Sequence, residues 1–145
     1  MPGRTDETLG ITVKIGEKEF SARLLPDKAP RTCNAILSRL PIKGKVIHAR
    51  WSGEAMWLSL ENHPLKVPFE NQTSHPSRGE LLFYPGFISE KELLIPYGSS
   101  SFASKSGSLT GNHFATISDK LEELAAIGES VLWEGAKSIL IRIPH

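Results

Sequence analysis

The sequence predicts a mainly β fold: a closed β-barrel of about eight strands with two capping α-helices. Three observations carry this expectation. Short runs of alternating apolar and polar residues recur along the chain. Clusters of Gly, Pro, Ser and Asp punctuate them at short intervals. Two stretches, one early and one late, instead carry apolar residues at helical spacing.

Ile11, Val13 and Ile15 alternate with Thr12 and Lys14, the period-two pattern of a strand. Gly16-Glu17-Lys18 turns the chain into a partner strand with Phe20, Ala22 and Leu24 on one face, so the pair reads as a hairpin. Pro26-Asp27 breaks that strand and Pro30 suits a first helical turn. Cys33, Ile36, Leu37 and Leu40 then follow at helical spacing until Pro41. Gly44 opens a strand with Val46 and His48 on one side and Ile47 and Ala49 on the other, and a turn at Ser52-Gly53 leads into a strand over 54–60. Residues 63–79 hold Pro64, Pro68 and Pro76 among polar residues, which argues for a long loop. Strands are expected over 80–84 and, ended by Pro96, over 92–95; a serine-rich connection spans 99–108 and a further strand 113–117. Ser118 suits an N-cap for a helix carrying Leu121, Leu124 and Ala125, which Gly128 would end. Short strands at 131–133 and 138–143 complete the chain.

Composition sets the outer bounds. The 145 residues and 39% hydrophobic content fit a single domain over 1–145, with 1–9 a flexible N-terminus, and disfavour disorder. Lys plus Arg is 17 against 16 for Asp plus Glu, a net charge of +1, so neither a nucleic-acid footprint nor an anionic steering field is expected. Cys33 stands alone, which excludes an internal disulfide, fits a reducing cytoplasm, and places this thiol as a small core residue. The start MPGRTDETLG has no apolar signal core, and no run approaches the ~18 apolar residues of a membrane helix. A cytoplasmic protein without membrane contact is the expectation.

Two sets of residues carry a family resemblance. Pro26-Asp27-Lys28-Ala29-Pro30-Arg31-Thr32 before a helix, His48-Ala49-Arg50 on a strand, and Asn112-His113-Phe114 before a strand and helix resemble segments of cyclophilins in the same order. The stretch from Glu70-Asn71-Gln72-Thr73 through Tyr84-Pro85-Gly86, extended by Ser89-Glu90 and Ile95-Pro96-Tyr97-Gly98, resembles a bacterial family of cyclophilin-like proteins of unknown function. The resemblance implies a cyclophilin-like barrel. It also implies one candidate activity, isomerisation of Xaa-Pro bonds, for which Arg50 matches the arginine that reaches the prolyl region. One extra residue separates His48 from Arg50, and a one-residue shift on a strand turns a side chain to the other face. The apolar proline pocket of cyclophilins has no clear counterpart here.

Read from the residues themselves, the candidate sites form two groups. Arg50, Trp51, Glu54 and Trp57 surround one turn, where a guanidinium, a carboxylate and two indoles suit a small polar ligand; the plainer alternative is a packed barrel face with a surface ion pair. Glu70, Asn71, Gln72, His75 and Glu80 crowd the proline-rich loop. Glu70 and His75 are an acid–base pair if they converge; the plainer alternative has Asn71 and Gln72 serving the loop backbone. Tyr84, Tyr97 and His113 stand at strand ends or beside this loop as further ligand contacts. The histidines lack metal-ligand spacing, and neither a phosphate loop nor a nucleophile elbow is present, so no metal and no cofactor are expected. The leading expectation is a protein that binds or processes a small polar metabolite. The alternatives are a prolyl isomerase or proline-peptide binder, and a non-catalytic subunit of a homo-oligomer.

Overall fold

Strand alternation becomes a barrel wall because each strand points one set of side chains inward. The computed structural model describes residues 9–87 and 89–144, so the expectation for the N-terminus falls, apart from Leu9, outside the described residues. In chain order the elements are β1 (Gly10–Ile15), β2 (Lys18–Leu24), α1 (Pro30–Arg39), β3 (Ile42–His48), β4 (Gly53–Ser59), β5 (Gln72–Thr73), β6 (Glu80–Tyr84), β7 (Glu92–Ser100), β8 (Ala103–Ser104), β9 (Gly107–Ser108), β10 (Gly111–Ile117), α2 (Leu121–Glu134) and β11 (Lys137–Arg142).

The main sheet runs β2-β1-β11-β3-β4-β7-β6-β10, and β10 pairs back onto β2 through Ala115↔Leu24, Thr116↔Arg23 and Ile117↔Ala22. This closes an eight-stranded antiparallel barrel, which leaves no free edge in the wall. The last strand, β11, lies between β1 and β3. Short β5 adds to β10, and β8–β9 form a separate hairpin.

Inside lies one continuous apolar core. Ile11, Val13 and Ile15 meet Phe20, Ala22 and Leu24, with Val46, Met56, Leu81, Phe83, Leu93, Ile95, Ile139 and Ile141 around the ring. Cys33 belongs to this core; its thiol donates to the Phe114 carbonyl at 3.4 Å, and burial pushes its pKa up to about 11, which makes it inert. Outside the wall a second apolar layer forms where β4, β6 and β7 turn Ala55, Trp57, Leu82, Tyr84 and Leu94 outward and the 101–109 segment covers them with Phe102 and Leu109. No helix among the described residues is long and apolar enough to cross a membrane.

The structure departs from the sequence expectations in three places. Pro96 does not end its strand: β7 continues to Ser100. The proline is accommodated beside a bulge, where Ala55↔Pro96 and Gly53↔Ser100 leave Glu54 facing residues 97–99, and its carbonyl accepts from the Gly79 amide. Ser118 does not cap α2; Lys120 occupies the N-cap in a left-handed conformation with no side-chain cap. Gly128 does not end that helix, and residues 131–133 are helical rather than extended.

Gly128 is present for close packing. A Cβ there would overlap the Tyr97 ring, which the helix covers at the barrel end. Alanine at a helix interior normally gains ~1 kcal/mol over glycine. Gly128→Ala is expected instead to destabilise the protein by about 1–3 kcal/mol through overpacking. Urea unfolding of the variant checks the sign; increased stability would show that Tyr97 moves aside freely.

Candidate functional site

The second apolar layer ends in a cleft. Trp51, Trp57, Ser89, Glu90, Glu92, Ser104, Lys105 and Ser106 line it, around a volume of about 420 Å³. Register explains the meeting. Trp57 pairs with Leu94, and one row further along, Glu92 pairs with Ser59 on one side and Tyr84 on the other. Residues two apart share a face, so Trp57 and Glu92 both point out of the barrel into the same space. Trp51, on the β3–β4 turn, meets Trp57 edge to face, with centroids 6.2 Å apart and planes at 67°. The 104–106 tip closes the far side.

Among the described residues, one polar atom in this cleft lacks a hydrogen-bond partner, and one buried carboxylate lacks an ion pair. The Trp57 indole nitrogen is buried with no hydrogen bond. Glu92 is only 5% exposed, and no ion pair satisfies its carboxylate among the described residues. Burial pushes the Glu92 pKa up to about 7, and the neighbouring Glu90 carboxylate pushes in the same direction. Glu90 is held nearby by the Ser59 hydroxyl at 2.7 Å. A buried, perturbed carboxyl in a cleft marks a functional candidate more than a structural one. Sequence reasoning missed Glu92, Glu90 and Lys105. The available signal was a single glutamate opening an otherwise apolar run, Glu92-Leu93-Leu94-Ile95.

The residues expected around the β3–β4 turn divide between two surfaces. Trp51 and Trp57 line the cleft, while Glu54 lies on another groove with Pro76, Ser77, Arg78, Gly98 and Ser99. There the Glu54 carboxylate accepts from the Ser99 amide at 2.9 Å. Arg50 is exposed on the turn. Its charge and burial both lower the His48 pKa, burial more strongly. His48 Nε2 meets the Tyr97 hydroxyl at 2.6 Å, its Nδ1 is buried without a partner, and burial raises the Tyr97 pKa. This pair sits inside the barrel end under α2, on the opposite side of the wall from the tryptophans.

The polar groups at 70–75 of the proline-rich loop are tied down, while its 76–78 end borders the Glu54 groove. Glu70 Oε2 accepts from the Thr32 amide at 2.6 Å and the Thr32 hydroxyl at 2.7 Å, serving the first turn of α1. Asn112, fully buried, accepts from the Glu70 amide and donates to the Thr32 hydroxyl and the Pro68 carbonyl at 3.0–3.1 Å. Asn71 donates to the His113 carbonyl, and Gln72 pairs with Asn112 across β5 and β10. His75 is exposed and meets Ser74, so it shares no hydrogen-bond partner with Glu70. Glu80 accepts from the Ser77 amide; His113 meets the Thr116 hydroxyl at 2.8 Å, and burial lowers its pKa against the opposing pull of Glu80. Tyr84 packs edge to face on Phe102 at the inner margin of the tryptophan cleft. No group of three or more His, Cys, Asp or Glu side chains is placed to hold a metal ion among the described residues.

Comparison with known proteins places the chain as follows. No curated protein matches it. Among solved structures, McbB in complex with tryptophan superposes with a TM-score of 0.70 at 15% identity, over 91% of this chain and 44% of McbB. The chain thus spans less than half the length of that relative. The solution structure of the hypothetical protein AF2241 from Archaeoglobus fulgidus superposes with a TM-score of 0.64 at 16% identity, over 99% of this chain and 100% of AF2241. Both are cyclophilin-like barrels, and at these identities they show the fold alone. The family described as "Protein of unknown function (DUF3830)" matches residues 11–142.

Proposed function

The chain belongs to the DUF3830 family, and from that premise we propose that it binds a small molecule in the Trp51–Trp57 cleft on the outer face of the barrel. The observation that carries the reading is the pairing of aromatic walls with an unpartnered indole nitrogen and a buried carboxyl group. The buried indole nitrogen leaves a donor that a ligand would fill, and beside it in the same concave space lies a buried carboxyl group with no ion pair among the described residues. A volume of about 420 Å³ suits a metabolite rather than a macromolecule. McbB, which shares the barrel, holds tryptophan in its structure, and this is consistent with a small ligand on such a scaffold. Arg50 and Glu54, on other surfaces, are not needed for this reading.

The two tryptophans provide the assay. Their emission is expected to change on titration with a panel of small amines, alcohols, amides and carboxylates, and the same ligand is expected to raise the melting temperature. At 100 times its dissociation constant a ligand adds about 2.7 kcal/mol, a shift of roughly 5–10 °C for a chain this long. Trp51→Ala and Trp57→Phe are each expected to weaken binding at least tenfold, whereas Arg50→Ala leaves it intact. A response to Xaa-Pro peptides alone, abolished by Arg50→Ala, would overturn the cleft reading in favour of a prolyl-peptide site.

A further inference from the structure

We propose that the ligand of this cleft is an organic cation, an amine or quaternary ammonium compound; the inference rests on the small-molecule reading above. The cleft combines the two features that select such a group. Trp51 and Trp57 stand edge to face at 67°, so they present two inclined walls, and an indole face attracts a desolvated cation more strongly than any other side-chain ring. Beside them lie two carboxylates. Glu92 is buried at the base of the outer layer, and the Ser59 hydroxyl holds Glu90 next to it.

The charges around Glu92 leave this negative pair uncompensated. On β4 its neighbour is the hydroxyl of Ser59, and on β6 it is Tyr84. The preceding Lys91 is engaged elsewhere: its ammonium donates to the His63 carbonyl at 2.9 Å and its amide to Glu61 at 2.6 Å. Among the described residues Lys105 is the one cation lining the cleft, but it is exposed on the tip between β8 and β9, and burial and Glu90 are the influences that raise the Glu92 pKa. Two acids against one solvated lysine give the cleft a local charge of −1 when both acids ionise. Glu90 is exposed and accepts from Ser59, but an ionised Glu92 buried without an ion pair is costly, and a bound cation is the partner that removes the cost. A carboxylate ligand would instead add a third negative charge. The unpartnered Trp57 nitrogen further suits a ligand that also carries a hydroxyl or carbonyl acceptor.

Three isosteres separate charge from shape: choline, its neutral carbon analogue 3,3-dimethylbutan-1-ol, and the anion 3,3-dimethylbutanoate. Benzyltrimethylammonium serves as a second, larger cation. Tryptophan emission of the intact protein at pH 8 is the readout, with calorimetry as a check. At least one cation is expected to bind, at least tenfold more tightly than the alcohol, with the anion silent. Glu92→Gln is expected to weaken cation binding at least tenfold, and lowering the pH to 6, where about a tenth of the Glu92 carboxyl is ionised, to weaken it up to about tenfold. Glu90→Gln gives a smaller loss and controls for any change in folding at Glu92. Equal or tighter binding of the alcohol or the anion would overturn the cation assignment and leave the cleft reading standing. Silence of both cations while another compound of the wider panel binds would do the same. Silence of every compound would overturn both.

Discussion

Glu92→Gln is expected to stabilise this protein at pH 8, by about 3 kcal/mol relative to its effect at pH 4. The sign follows from linkage. Burial and the Glu90 charge push the carboxyl pKa up to about 7 in the folded protein from its ordinary 4.5. Below pH 4.5 it is protonated in both states and contributes no difference. As the pH rises through 4.5 to 7 the unfolded chain ionises first, so stability falls, and above 7 the full penalty is present. Each pKa unit is worth 1.36 kcal/mol, which gives about 3 kcal/mol and a melting-point difference of roughly 5–10 °C. Glutamine keeps the shape and abolishes the titration. The amide has its own burial cost, so the pH-dependence of the difference, rather than its absolute size, carries the test. Thermal denaturation of both proteins from pH 4 to 8 measures it. Parallel stability profiles would show that Glu92 titrates normally and that the cleft is wetter than its burial implies. A carboxyl kept at such a cost fits the stability–function trade-off of a binding site.

Asn112→Ala is expected to act in the opposite direction, with a loss of about 3–5 kcal/mol. The side chain makes three hydrogen bonds in a fully buried setting, linking Glu70, Thr32 and Pro68. Its removal leaves buried donors and acceptors unpaired at roughly 1–3 kcal/mol each. That is a large share of the 5–15 kcal/mol by which domains are stable. Urea denaturation gives the size. The variant should also free the 68–73 segment, which hydrogen exchange at residues 70–73 reads directly. A loss below 1 kcal/mol, with exchange unchanged, would mean that water replaces the amide without strain.

This second result bears on what a sequence can reveal. The hairpin, α1, most of the strands and the barrel itself were legible, because alternation and turn chemistry are local and each core strand obeys them. Pro96 and Gly128 were misread for a shared reason. Both are local breakers whose meaning depends on a neighbour distant in sequence: the bulge opposite Glu54 for Pro96, and the Tyr97 ring for Gly128. The loop glutamate was misleading in the same way. Glu70 among Asn71, Gln72 and His75 has the composition of a reactive cluster, yet its carboxylate is occupied by the first turn of α1, 38 residues earlier. Trp51 and Trp57, expected together because they flank one turn, do line one cleft. Glu92 was not expected there, because it reaches them only through the pairing of β4 with β7.

The place of β11 bears on how the chain is made and divided. The barrel wall has its last strand between β1 and β3, both completed before residue 49. The lane between these two strands is filled only by residues 137–142, so the ring cannot close without them. Ile139 and Ile141 arrive with that strand and fill the core beneath it. A chain cut in the exposed turn at Gly135 thus keeps a slot of one strand's width, with hydrogen-bonding edges on both sides. The severed segment carries the six-residue strand whose register fits that slot.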